Sequence, residues 1–419
     1  MMLLKAKYLL PVRTGPVEAG AVLIRNGVIE SLGTAEQLQA AHPQAPVLDL
    51  GGHILLPGLL NAHCHLDYMP LRNLIHPTGS FTSWIQKING HKRTLATADY
   101  LAAVGQGYEE LLDYGTTTAI NIEAFPELLP LLSPPPLRVW WCAELIDIRV
   151  KTHDPAFVDG LLEFFYPHAG WRGGFGLSPH APYTASSELY GLAREAAGAE
   201  DMLVTTHIAE SVEEYDMFQN HAGRLHDFLG GMGRRIDDIN LQTPFGYLMR
   251  RGLLPPGSLA VHMNYVTGED LEMAEAGEIS VAHCPKCHEY FGHRPFPLRE
   301  MQKHRINLCL GTDSVASNNN LNLFEEMQCL ARKYFWLEPR DILRMVTLNP
   351  ARVLRQEGRL GEMTPGAHAD LIALPYRPDF ADAYQNVLWH KGRVPFVMVG
   401  GEIRRGGGPS GWTDPVAHG

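Results

Sequence analysis

Eight short apolar runs alternate with helix-like stretches through the middle of this chain, and that alternation limits the fold more than any other feature. The runs are 53–63 (HILLPGLLNAH), 116–122 (TTTAINI), 138–146 (RVWWCAELI), 174–180 (GFGLSPH), 202–207 (MLVTTH), 258–262 (SLAVH), 279–283 (ISVAH) and 307–312 (NLCLGT). They have strand length, are rich in β-branched or other apolar residues, and are mostly bounded by Gly, Pro or polar turns. Helix-like stretches lie between them, such as 98–114, 186–198 and 321–335, and Ser186 and Ser187 ahead of Glu188 form a helix start. Strand–helix units repeated in this way predict an α/β fold, a parallel (β/α)8 TIM barrel spanning 57–364.

The flanks read differently. Residues 1–56 carry strand-like pieces around an Arg-Asn-Gly turn, and 365–419 repeat the pattern around a Gly-Gly pair. Neither end is large enough to fold alone, so the two are expected to combine into one small β-sandwich domain. The last stretch, RGGGPSGWTDPVAHG, is expected to be loosely ordered.

Chemistry-bearing side chains fall at strand ends: His63, His180, His207, His262, His283 and Asp313 all close an apolar run. In a (β/α)8 barrel those ends form the functional face. In His63-Cys64-His65 the strand period of two points both imidazoles the same way and Cys64 the other. Three imidazoles and one carboxylate, from His63, His65, His207 and Asp313, make a ligand set for Zn²⁺ or Fe²⁺ that leaves room for water. Such a cation turns water into a nucleophile near neutral pH.

Composition narrows the classes. A formal charge of −11 without a long Lys/Arg cluster argues against nucleic acid as a partner. No apolar run approaches the length of a membrane span, and the N-terminus is too short and interrupted for a signal peptide. Six cysteines in 419 residues do not suggest a disulfide framework. The expectation is a cytoplasmic protein acting on a small molecule, with a homodimer as one permitted assembly.

The segments PGLLNAHCHLD, SPHAPYT, THIAES, VHMNY, GTDSVASNNNLNLFEEM, PGAHADLIAL and VPFVMVGGE resemble those of the metal-dependent amidohydrolase superfamily. They are most similar to the branch of cytosine and guanine deaminases, adenosylhomocysteine deaminases and triazine hydrolases. The segments HEYFGH and GTDSVASN look like aminodeoxyfutalosine deaminases in particular. The resemblance implies one divalent cation, Zn²⁺ or Fe²⁺, on His63, His65, His207 and Asp313. Strand four offers no lysine to bridge a second ion. It further implies Glu210 as a proton shuttle to a ring nitrogen, His262 as the group that steadies the attacking oxygen, and Asp313 as proton acceptor. The competing reading of Glu210 is a helix-start carboxylate.

The same resemblance makes His180 a substrate contact and turns the region of Asp67, Arg72 and FTSWIQKI, with Trp84, into a lid. Glu123 and Glu144 end strands two and three, where lining the mouth and pairing at the surface are equally open. The segment AHCPKCHEYFGH departs from the branch, in which Ser-Asn usually follows the proline. Its Cys284-x-x-Cys287 pair, with His288 and His293 nearby, lacks a partner pair at structural-zinc spacing. The segment is therefore expected to be a loop whose His288 and Phe291 shape the pocket. The implied activity is hydrolytic deamination of an aminated heteroaromatic ring, a purine nucleoside or aminodeoxyfutalosine. Hydrolysis of an amide or halide on a ring is the alternative within the fold, and a non-catalytic scaffold the alternative outside it.

Overall fold

The computed structural model describes residues 1–148, 155–234 and 241–406. Eight parallel strands form the larger sheet: β1 (Leu59–Cys64), β2 (Thr116–Glu123), β3 (Arg138–Leu145), β4 (Gly173–Pro179), β5 (Leu203–Ile208), β6 (Leu259–His262), β7 (Ser280–His283) and β8 (Leu308–Leu310). They pair in chain order, and the ring closes where Cys64 bridges Asp313 in parallel. Backbone N–H groups of Thr312 and Asp313 both donate to the His63 carbonyl, 3.0 Å away. The (β/α)8 barrel read from the sequence is the fold.

Both chain ends enter a second, mixed sheet. Strand His53–Pro57 lies at its centre, parallel to Met2–Leu9 and antiparallel to Leu371–Pro375. The Arg-Asn-Gly turn joins Val17–Arg25 to Val28–Thr34, with Asn26 at φ 51° and Gly27 at φ 78°, the left-handed pair a tight hairpin requires. Leu4, Val22, Ile24, Leu55, Leu371 and Phe396 pack on one face of the sheet. On the other, Leu3 and Leu23 meet Ala35 and Leu38 of the short helix Ala35–Ala41.

One strand expectation needs correction. The run 53–63 is two strands, not one, broken at Gly58 between the sheets. A side chain there would collide with Thr117, whose Oγ1 lies 2.1 Å from the Cβ position. The glycine therefore lets the chain pass from one sheet to the other against β2. The helix start at Ser186 is observed, its hydroxyl accepting from the Leu189 N–H at 3.2 Å. The glycine-rich tail lies outside the described residues from 407 onward. Among the described residues all six cysteines are free and buried, and no helix is long and apolar enough to cross a membrane.

Candidate active site

The strand-end residues converge at the C-terminal mouth of the barrel. The Nε2 atom of His65 lies 3.2 Å from that of His63 and 3.3 Å from that of His207. Asp313 Oδ1 stands 3.6 Å from the Nε2 atoms of both His63 and His65. Ligands held 2.0–2.1 Å from a tetrahedral ion are separated by about 3.3 Å, so these side chains fit one divalent cation. The His207 Nδ1–H donates to the His180 carbonyl at 2.9 Å, which leaves the Nε2 lone pair facing the cluster.

Electrostatics agree with the geometry. Burial, then the neighbouring His63, pushes His207 down to about 3, and the same causes hold His65 well below the ordinary imidazole value. Both rings are neutral, the form that ligates metal. Burial alone would raise Asp313, but the nearby His63, His262 and His65 outweigh it and hold the carboxyl well below the ordinary value, so it stays ionised. Ser314 N–H and Ser317 Oγ donate to its two oxygens at 2.6 and 3.2 Å. His262 and Asp313 are held at φ 77° and 56°. Non-glycine residues occupy that region at a cost, and such strain clusters where side chains must be aimed.

Glu210 lies beyond the end of β5, with its Oε1 3.7 Å from His262 Nε2. Burial, reinforced by Asp313 and Glu214, raises its carboxyl well above the usual range, which favours the protonated form. The helix-start reading does not match the local structure. The cap of helix Val212–Asn220 is Ser211, whose hydroxyl accepts from Glu214 N–H at 3.1 Å. The Glu214 carboxylate in turn accepts from the N–H groups of Ala209 and Glu210 at 2.9 and 2.8 Å, and Asn264 donates to the Glu210 carbonyl at 3.0 Å. This net fixes the Glu210 backbone and leaves its side chain on the cavity wall.

The cavity has a volume of about 250 Å³, and His65, His207, His262, Glu210 and Asp313 are among the residues lining it. One wall is the lid helix α1 (Phe81–Lys92), which contributes Phe81, Trp84, Ile85, Ile88, Asn89 and Lys92. Glu213 anchors that helix by accepting from the N–H groups of Phe81 and Thr82 at 2.9 and 3.1 Å. Another wall carries Glu144, with one oxygen 4.0 Å from His180 Nε2, beside Ile146 and Ile148. The Lys92 ammonium donates to the Tyr68 hydroxyl at 2.9 Å. Asp67, also near Lys92 and Glu144, is buried with neither oxygen hydrogen-bonded, and burial raises it to about 7.

Trp84 and His180 therefore lie where the sequence places substrate contacts, but Arg72 and His288 do not. The Arg72 guanidinium pairs with Glu110 and donates to the Asn319 carbonyl at 2.6 Å, outside the cavity. His288 faces away on helix α2 (Pro285–Phe291), its Nε2 2.8 Å from the Arg294 carbonyl, so it supports the loop beyond the helix. Phe291 braces the lid, its ring centre 5.5 Å from Phe81 and 5.0 Å from Trp84. Of Glu123 and Glu144, only Glu144 reaches the cavity. Lys92 and Tyr68 are missing from the sequence expectation. Lys92 was legible there, because Phe81, Trp84, Ile85, Ile88, Asn89 and Lys92 recur at three- and four-residue spacing on one helical face.

Comparison with known proteins places this site in context. A 5-methylthioadenosine/S-adenosylhomocysteine deaminase of Syntrophobacter fumaroxidans is 29% identical over 387 residues, 89% of this chain and 84% of the relative. A 5'-deoxyadenosine deaminase of Methanobrevibacter smithii is 27% identical, covering 88% and 84% of the two chains. The crystal structure of aminofutalosine deaminase from Helicobacter pylori with methylthio-coformycin superposes with a TM-score of 0.86 at 18% identity, over 96% of this chain and all of that one. A zinc-bound adenosine deaminase from Xanthomonas campestris gives 0.81 at 23%, over 97% and 93%. Residues 20–45 match the bacterial imidazolonepropionase-like composite domain. Residues 54–404, nearly the whole of the barrel and the returning strands, match the amidohydrolase family, and the chain belongs to that family.

Proposed function

We propose that this protein is a hydrolytic deaminase that replaces the exocyclic amine of a purine-nucleoside-like substrate with oxygen and releases ammonia. The observation that carries the reading is Glu210. It is a buried carboxyl on the wall of the cavity, 3.7 Å from His262 and close to Asp313, and burial raises its pKa so that the protonated form is favoured. Relatives named as deaminases of methylthioadenosine, S-adenosylhomocysteine and 5'-deoxyadenosine support the substrate class.

His63, His65, His207 and Asp313 would hold one divalent cation, Zn²⁺ by preference, which when bound supplies Lewis acidity that lowers the pKa of water. The remaining steps belong to the chain. Glu210 donates its proton to the ring nitrogen beside the amine-bearing carbon, which makes that carbon electrophilic. Asp313 accepts a proton from the attacking water. His262, neutral and 3.7 Å from Glu210, hydrogen-bonds the oxygen arriving at the ring. Asp313 passes its proton to the departing amine, so ammonia leaves neutral, and Glu210, ionised by its donation, takes the second water proton as the carbon–oxygen double bond forms and ends protonated.

The aromatic lid supplies an apolar face for a flat ring, with Phe81 and Trp84 stacked at 5.9 Å. Glu144, His180 and Lys92 give that cavity a polar side for the hydroxyls of a sugar. The site of action is the cytoplasm. Incubation of the zinc-loaded enzyme with 5'-methylthioadenosine, S-adenosylhomocysteine, 5'-deoxyadenosine and aminofutalosine tests the reading. One ammonia per product is expected from at least one of them. Release of chloride from a chlorinated triazine, with no ammonia from any nucleoside, would transfer the assignment to ring dehalogenation.

A further inference from the structure

A second set of donors meets at the same mouth. Glu210, His262, Cys287 and Asp313 each bring one ligand-type atom within 4.8 Å of the others, and all four are buried. They form a group separate from His63, His65 and His207. Cys287 sits on α2, with its sulfur within 4.8 Å of an Asp313 carboxylate oxygen. Donors 2.0–2.3 Å from a tetrahedral ion stand about 3.3–3.8 Å apart. The Glu210–His262 pair is already at such a spacing, 3.7 Å, and the ligand atoms of Cys287 and Asp313 lie within 4.8 Å of both. Cys284 is outside this group, so the Cys-x-x-Cys pair does not act as a unit.

We propose that Glu210, His262, Cys287 and Asp313 form a second, inhibitory site for a thiophilic divalent cation such as Zn²⁺ or Cd²⁺. Asp313 is shared with the ion on His63, His65 and His207, so the inference rests on that first site as read above. The sulfur donor selects soft or borderline ions over Mg²⁺ and Ca²⁺. Binding forms four bonds to the ion and releases the Cys287 thiol proton and the Glu210 carboxyl proton to solvent, with no change of oxidation state. Inhibition follows because the ion occupies Glu210 and His262, the two groups that serve the reacting ring.

Cadmium titration of enzyme already holding one equivalent of Zn²⁺ tests the proposal. A second equivalent should bind, with a thiolate-to-cadmium charge-transfer absorption that grows as ammonia release falls. Cys287→Ser should keep the first equivalent and its activity, show no such absorption, and bind the second ion more than about tenfold more weakly. No second equivalent, or an absorption that Cys287→Ser retains, would overturn the site. Should that variant not fold, cadmium NMR of the wild type decides. A cadmium resonance in the sulfur-ligand range supports the site, and its absence overturns it. Failure of the first site registers separately, as a first equivalent that survives His207→Ala.

Discussion

The proposed chemistry turns on Glu210. Its replacement by Gln keeps shape and much of the hydrogen bonding but removes the exchangeable proton. General acid–base groups contribute on the order of 10²–10⁴-fold, so Glu210→Gln should lower kcat by about that factor while metal content and KM change little. Turnover within a few-fold of wild type would remove Glu210 from the mechanism. Its neighbour Glu214 makes a different prediction. Burial lifts Glu214 to about 7 from 4.5, despite its backbone hydrogen bonds to Ala209, Glu210 and Ser211. The folded carboxyl thus binds its proton more tightly than the unfolded one. Its contribution is complete below pH 4.5 and is lost as pH rises through about 7, a change of about 3 kcal/mol. Unfolding midpoints in urea across that window should fall with pH in the wild type and more gently in Glu214→Gln. Equal slopes would contradict the assignment.

The ligand-type residues were legible because strand period and strand ends fix where a side chain points. Arg72 and His288 were misplaced because both lie on segments after a strand, where direction depends on partners distant in the chain: Glu110 and Asn319 for one, Arg294 for the other. Cys287 was read only as half of a Cys-x-x-Cys pair, and its approach to Asp313 was not legible for the same reason.

Among the elements, α1 supplies the apolar wall of the cavity. Its apolar face covers the cavity, and Glu213 ties its first turn to the helix that follows Glu210. Trp84→Ala removes a large aromatic contact worth about 1.5–3 kcal/mol, so KM should rise roughly 10- to 100-fold with kcat less affected. A loss confined to kcat would place Trp84 with the reacting groups and not with the lid. Gly58 shows why an element boundary was missed. The run 53–63 is apolar on both sides of Pro57-Gly58, which hid the break there, and the need for glycine comes from Thr117, a neighbour on another strand.

For the whole molecule, the two sheets are joined by chemistry as well as by chain. Arg138 at the start of β3 pairs with Asp370 through Nε and Oδ2 at 2.6 Å, both nearly buried, and Asp370 also accepts from Gly400 N–H at 2.6 Å. Asp370→Asn leaves the guanidinium buried without its charge partner and should cost about 3–5 kcal/mol in chemical denaturation. An effect below about 1 kcal/mol would mean that the pair is as weak as a surface bridge. The alternation of strands and helices was enough to read the barrel. The joining of the two ends followed from their shared hairpin signals. Their pairing order was not legible, because it depends on the long-range contact between His53–Pro57 and Leu371–Pro375.

The central claim is that water attacks the amine-bearing ring carbon at this site. Turnover of 5'-methylthioadenosine by the zinc-loaded enzyme in water enriched in heavy oxygen measures that step. The account predicts one labelled oxygen on the purine ring of the product and one ammonia released per product, both abolished when His207→Ala removes the metal. Deaminated product without the label, or labelled product formed at the same rate by His207→Ala, would contradict it.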